Sequence, residues 1–243
     1  MNKPGAGLLR SMLSRNHALA EKTRSTGFPL EQFERLQSWQ LARLTVTFSD
    51  LYKHEGYRPA VEFFISDLYG GLDFRQRDQE MTRVLPVMVR FLPDKALVAL
   101  AEAFELQAIS LEYDFSMAAF MAEEGVGELD LETYCEVYRA CSDRTGRERQ
   151  IQLFPKIGRD LNKLVRKSIV NYLLRMLRGP AHAAGFGKLQ EFLESGLASF
   201  RSLEDADYFV ETIYQREWGA MERLFAGDPD PFRLPEIRSR SVR

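Results

Sequence analysis

The sequence predicts an all-α protein, built as an irregular multi-helix bundle of about eight or nine helices. Apolar residues recur at spacings of three and four along almost the whole chain, as they do on one face of an amphipathic helix. No alternating run of β-branched residues bounded by turn-forming pairs is present. The 243 residues are 45% hydrophobic and 12% aromatic, so the chain can fill a core without disulfides or metals.

The apolar periodicity and its breaks divide the chain into nine predicted helices. Their ranges are 7–24, 30–54, 58–69, 74–92, 94–124, 131–144, 147–178, 181–200 and 204–226. Pro29 suits a first helical position, and Asp73 and Ser202 suit N-caps. Gly179-Pro180 and Gly227 suit helix stops.

The domain organisation follows from where this periodicity ends. We expect residues 1–226 to form a single all-helical domain. Residues 227–243 contain three prolines and no apolar period, which predicts a flexible C-terminal tail.

Overall composition argues against a membrane protein and against a general nucleic-acid binder. The net charge is −2, and no apolar run approaches the roughly 18 to 20 residues that a membrane-spanning helix needs. We therefore expect a cytoplasmic protein. Residues 1–20 leave one alternative open, since they contain three basic residues and no acid, a composition that also suits a mitochondrial transit peptide.

Charge is strongly segregated within the chain. Residues 94–143 contain 12 acids and 2 bases, whereas residues 144–178 contain 10 bases and 2 acids. We expect these neighbouring segments to pair with each other or to form solvated faces, and pairing between two copies would make a homodimer. The alternative is a basic docking stripe on one helix face, formed by Lys156, Arg159, Lys163, Arg166 and Lys167. The stripe is weak support for nucleic-acid binding because no aromatic stacking motif accompanies it.

Motifs that carry catalysis or bind cofactors are absent from the sequence. The three histidines are far apart and none follows a Glu at the third position, which argues against a di-iron bundle. Cys135 and Cys141 point about 120° apart on a predicted helix, so we expect two reduced, buried thiols. We therefore expect no catalytic residue, no metal and no cofactor. Haem ligation by His182, at the start of a predicted helix, is a less favoured alternative.

Charged and polar residues on apolar helix faces are the remaining candidates for a site. Glu217 lies near the centre of the apolar stripe of helix 204–226. Asn171 and Arg175 are the polar exceptions in an otherwise apolar helical segment. An isolated buried charge would be unfavourable by several kcal/mol, so we expect Glu217 and Arg175 to be largely buried and to pair.

The segment 62–80 holds a further candidate pair, Arg77 and Asp78. These residues lie near the two edges of the inward face of helix 74–92, just after the Gly70-Gly71 break. We interpret them first as a clamp between helices, and second as groups that face a ligand.

The same segment resembles a group of uncharacterised bacterial all-helical proteins with an FF-x-x-DLYG-x-x-DF-x-x-RD pattern. A second segment of similarity is LLRMLRGPAHAAGFGKLQEFL. The matching positions are Phe63, Phe64, Asp67, Leu68, Tyr69, Gly70, Asp73, Phe74, Arg77 and Asp78. The resemblance implies a bacterial, cytoplasmic protein and no particular activity.

Two functions of different class remain open from the sequence. The favoured one is a non-enzymatic binding or regulatory module that meets a protein partner through a helix groove or through the basic helix. The alternative is a helical enzyme or sensor with a pocket for a small apolar ligand, oriented by a few buried charges such as Glu217 and Arg175.

Overall fold

The computed structural model describes residues 3–65, 85–86, 88–90, 92–167, 172, 178 and 187–234. Regular structure in this part of the chain is helical, without a strand, which confirms the predicted all-α bundle. The helices with described bounds are α1 (Pro4–Lys22), α2 (Leu30–Thr47), α3 (Ser49–Lys53), α4 (Arg58–Phe63), α5 (Asp94–Glu123), α6 (Leu131–Cys141), α7 (Arg144–Val165), α8 (Gly187–Arg201) and α9 (Ala206–Ala226).

Helix α5 is the axis of the bundle. It is 30 residues long and contacts α1, α2, α6 and α7. Alanines at positions such as Ala101, Ala108 and Ala118 are almost completely buried, and their small side chains let the neighbouring helices approach closely. Leu9 and Leu13 of α1 pack on one side of α5, and α2, α6 and α7 contact it elsewhere, so its buried residues cover more than one narrow stripe.

Helices α8 and α9 pack on α7. Helix α9 contacts α7 and α6, and α8 contacts α7 and α4. An aromatic cluster joins them, with Phe209 of α9 and Phe200 of α8 packed among Phe48, Leu51 and Val61. This arrangement leaves the inner surfaces of α2, α5, α7 and α9 facing one another.

Side-chain caps define several helix starts. The carboxylates of Asp130, Asp143 and Asp205 accept hydrogen bonds from backbone N–H groups three residues later, at 2.7 to 2.9 Å. Gly227 ends α9 in the left-handed region with φ of 73°, which confirms the predicted stop.

Three predicted helix ranges were wrong in detail. The range 30–54 is interrupted at Phe48, where the backbone leaves helical geometry before α3 begins. The range 131–144 stops at Cys141, because Asp143 caps a new helix. The range 147–178 breaks after Val165, where the Lys167 N–H bonds to the Leu164 carbonyl in a tighter turn. Most of helix 74–92, with Asp73 and Gly179-Pro180, lies outside the described residues.

The contact between α8 and α4 generates a first prediction. A Cβ atom at Gly196 would lie 2.7 Å from the ring of the buried Phe63, so Gly196→Ala must displace that ring. We expect a net loss of about 1 kcal/mol or more in the free energy of unfolding, because overpacking outweighs the better helix propensity of alanine. Urea denaturation followed by circular dichroism measures this change.

Gly7→Ala in α1 is the matched control, since a Cβ atom there meets nothing within 4 Å. This variant should be stabilised by up to about 1 kcal/mol through helix propensity. Equal effects of the two substitutions would contradict the packing argument.

Candidate functional site

A cavity of about 340 Å³ lies at the centre of the bundle, between α2, α5, α6, α7 and α9. This volume is within the range of known small-molecule sites. Most of its surface is apolar, formed by residues that include Leu44, Phe48, Val61, Phe64, Ile65, Phe104, Phe154, Ile157, Phe209 and Ile213. Several of these rings contact one another, with Phe64 lying 5.5 Å from Phe154 and 6.1 Å from Phe209 between ring centroids.

One part of the cavity wall is polar, and a buried pair from α2 and α5 anchors it. Gln40 donates a hydrogen bond from its Nε2 to Asp114 Oδ1 at 3.0 Å, and both residues are no more than 8% exposed. Burial raises the pKa of the Asp114 carboxyl, while the Gln40 bond and the positive charge of Arg147 act in the opposite direction. The carboxyl is thus an acceptor in an environment that disfavours its charge.

Arg147 brings a buried cation to the same wall. It is 6% exposed, and its guanidinium lies 3.8 Å and 4.3 Å from the ring centroids of Tyr113 and Tyr138. Its hydrogen bonds go to the Ser142 hydroxyl at 3.0 Å and the Gln150 side-chain carbonyl at 3.0 Å, with a longer one to sulfur. All of these acceptors are uncharged.

The capping residue of α7 helps to place Arg147. Asp143 accepts the Gly146 N–H at 2.7 Å with one carboxylate oxygen and the Tyr113 hydroxyl at 2.8 Å with the other. This second bond fixes the Tyr113 ring over the guanidinium. Burial and the Asp143 carboxylate raise the pKa of Tyr113 to about 12, so the phenol remains a donor.

A second charged pair at the cavity joins α2 to α9. Arg43 donates to Glu217 Oε1 at 2.5 Å, with side chains 14% and 25% exposed. The Arg43 guanidinium also lies 4.8 Å from the ring centroid of Phe232. The cation is therefore held between a carboxylate and an aromatic ring.

Phe232 belongs to a short segment beyond α9, residues 228–234, which we call the C-terminal strap. Its ring packs beside Trp39 and Tyr134, which stack on each other with centroids 3.9 Å apart. Arg223 of α9 holds the strap by donating to the Pro231 carbonyl at 2.7 Å. The start of the predicted tail thus lies against the bundle, and residues 235–243 lie outside the described part of the chain.

Of the sequence-predicted site residues, Glu217 lines the cavity. Arg77, Asp78, Asn171 and Arg175 lie outside the described residues, and so does the alternative haem ligand His182. The ion-pair partner that the structure shows for Glu217 is Arg43, a residue that the sequence reasoning did not consider.

The predicted basic stripe lies on α7 and just beyond its end. Lys156 forms an ion pair with the buried Glu102, and Lys163 pairs with Asp160 at 3.2 Å. Arg166 donates to Asn162 at 3.2 Å, while Arg159 and Lys167 are exposed. The Lys156–Glu102 pair and the Arg149–Glu105 pair, the latter at 2.9 Å, join the basic and acidic segments within one chain.

Sequence reasoning missed Gln40, Arg43, Asp114 and Arg147. A signal existed for Asp114, which is three residues from the buried Leu111 and Met117 and therefore shares their helix face. Arg147 gave no such signal, because its burial depends on tyrosines from other helices.

Other chemistry of the described residues is limited. No group of three or more metal-ligating side chains occurs in this part of the chain. Cys135 is buried and Cys141 is half-buried, in contrast to the expectation that both are buried, and burial raises the pKa of each thiol. Among the helices searched, none combines the length and apolarity required to cross a bilayer.

Fold and cavity together define an all-α bundle protein with an interior cavity that is apolar over most of its wall. A family model described as Domain of unknown function (DUF8198) matches residues 20–231, so the chain belongs to this family. The match extends from α1 into the C-terminal strap and includes every residue of the polar wall. The predicted membership of an uncharacterised family is confirmed. No curated protein and no solved structure matches the chain.

The buried Asp114 carboxyl generates a second prediction. Its pKa is raised in the folded state, so the wild-type protein loses stability as pH rises above the unfolded-state pKa near 4. Asp114→Asn keeps an oxygen that can accept the Gln40 bond but carries no charge. We therefore expect the unfolding free energy of this variant, relative to wild type, to increase as pH rises above the unfolded-state pKa and to level off above the folded-state pKa.

Urea denaturation at several pH values measures this difference. Glu34→Gln is the control, since it removes an exposed carboxylate from α2. An Asp114→Asn difference that is constant or falls with pH, or the same trend in Glu34→Gln, would contradict a raised pKa of Asp114.

Proposed function

We propose that this protein binds a small, mostly apolar organic molecule in its central cavity. The cavity itself carries the proposal: about 340 Å³ with a mostly apolar wall and a few polar groups gathered on one part of it. Ligand sites in proteins have this composition, because apolar contact supplies affinity and a few polar groups fix orientation.

The volume sets the size of the ligand. An engineered apolar cavity of about 150 Å³ is known to hold benzene, and the cavity described here is about twice as large. By this scaling, a molecule of about fourteen non-hydrogen atoms fills it.

Binding without catalysis agrees best with the state of the polar groups. Burial raises the pKa of Tyr134 and Tyr138, which keeps both phenols protonated. Arg43 is paired with Glu217, and Arg147 is fixed by stacking and by uncharged acceptors. These groups are suited to holding and orienting a ligand, as in a carrier or a sensor.

A ligand site is better supported than a protein-docking site on the basic stripe. Lys156 and Lys163 are each paired with a carboxylate of the same chain, which reduces the field that an acidic partner would meet. Because Lys156 and Lys163 have these partners within one chain, they do not require carboxylates from a second copy.

The proposal also includes the cellular setting, a bacterial cytoplasm. The support is the sequence pattern of residues 62–80 for the bacterial origin, and the two free cysteines for a reducing compartment.

A third prediction tests the cavity with a neutral fluorescent probe, N-phenyl-1-naphthylamine, which is close to the required size. We expect its fluorescence to rise on binding to the wild-type protein. Ala103→Phe places a ring in the cavity and should weaken the binding at least tenfold. Fluorescence titration measures both affinities, and native mass spectrometry of the fresh protein shows whether a small molecule is retained from the cells.

Ala122→Phe is the matched control, since it makes the same change at an exposed position of α5. It should bind the probe as the wild type does. The proposal is wrong if the probe does not bind to ligand-free protein, or if the two variants bind it equally well.

A further inference from the structure

The polar wall of the cavity indicates the chemical class of the ligand, and this inference rests on the proposed binding function. We propose that the ligand is a carboxylic acid with an apolar body, whose carboxylate binds Arg147 while the body fills the aromatic part of the cavity. The other charged pair of the cavity, Arg43 and Glu217, is already matched within the protein.

Arg147 has donors available for a carboxylate. A guanidinium has five N–H groups, and the three hydrogen bonds of Arg147 use Nε and one N–H on each terminal nitrogen. One N–H on each terminal nitrogen is therefore not engaged by the described part of the chain. A carboxylate that meets the end of the guanidinium would take one N–H from each terminal nitrogen, the bidentate arrangement for which arginine is best suited.

No carboxylate of the described part of the chain forms a hydrogen bond with Arg147, although Asp143 and Asp114 interact with its charge electrostatically. Its acceptors are uncharged, and it lies in the first turn of α7, where the positive end of the helix dipole disfavours a cation. A buried charge in this position is unfavourable unless an anion is added. A ligand carboxylate would gain from both the guanidinium and the helix terminus.

Two carboxyls of the described residues compete for this role: Asp143, which already accepts hydrogen bonds from the Gly146 N–H and the Tyr113 hydroxyl, and Asp114. Burial opposes the ionisation of Asp114, so it is a weak counterion for Arg147. In its protonated form it can donate a hydrogen bond to a ligand carboxylate as well as accept one from Gln40. If Asp114 instead keeps its charge in the complex, it compensates Arg147 and the site should show no preference for a carboxylate.

The test compares three ligands with the same alkyl chain: dodecanoate, 1-dodecanol and dodecylamine. Isothermal titration calorimetry with delipidated wild-type protein, below the concentrations at which these molecules form micelles, gives each affinity. We expect dodecanoate to bind at least about tenfold more tightly than 1-dodecanol, the factor that charge-assisted hydrogen bonds supply. Equal affinities, or tighter binding of dodecylamine, would overturn the assignment.

Arg147→Met tests the residue itself, because methionine keeps an apolar stem and removes the charge. This variant should lose the preference for dodecanoate over 1-dodecanol. Arg149→Met is the matched control two positions along α7, where the arginine is exposed and paired with Glu105. It should retain the full preference, and loss of the preference in both variants would contradict the role of Arg147.

Two readouts separate this inference from the proposed function. Arg147→Lys keeps the positive charge but lacks the planar pair of N–H donors, so it should show an intermediate preference for dodecanoate over 1-dodecanol. This variant also serves as the test if Arg147→Met does not fold. If N-phenyl-1-naphthylamine binds but the three alkyl ligands bind equally well, the carboxylate assignment fails alone. If the neutral probe does not bind, the proposed function fails, and the carboxylate assignment that rests on it fails as well.

Discussion

The contact of α5 with four other helices is the constraint on which the rest of this structure depends. A helix with one apolar stripe needs one partner, but α5 is covered by α1, α2, α6 and α7. Its many alanines let these helices approach closely, and its larger residues, such as Phe104 and Met117, determine where they separate. The cavity lies where α2, α7 and α9 do not all pack closely against α5.

Polar groups on this inner surface must be satisfied by one another, because water reaches them poorly. Asp114 accepts a hydrogen bond from Gln40, and Arg43 forms an ion pair with Glu217. Arg147 stacks on two tyrosine rings and donates to uncharged acceptors. Each pair joins different helices, so satisfying the polar groups also fixes the relative positions of α2, α5, α7 and α9. The same contacts that stabilise the bundle therefore keep the polar wall in one place.

The fold was predictable because its signals are local. Periodicity of three and four locates the helices, and Gly227 marks the end of α9, although Asp205 and not the predicted Ser202 caps its start. The site was predictable only in part. Glu217 could be found because it interrupts an apolar stripe, but its partner Arg43 is 174 residues away and on another helix. The burial of Arg147 likewise depends on Tyr113 and Tyr138, which come from α5 and α6.

The stacking of Trp39 has an optical consequence. The chain has two tryptophans, and Trp39 lies face to face with Tyr134 and next to Phe232 of the C-terminal strap. The fluorescence of an indole ring in such contact depends on its aromatic neighbours and on its exposure to water. The strap is held by the Arg223 hydrogen bond and by the contacts of Phe232, and it is not part of any helix. Its displacement would therefore expose the Trp39 ring while the helices stay intact. The protein thus carries an intrinsic fluorescent reporter at the edge of its cavity, and removal of the second tryptophan, Trp218, would isolate that signal.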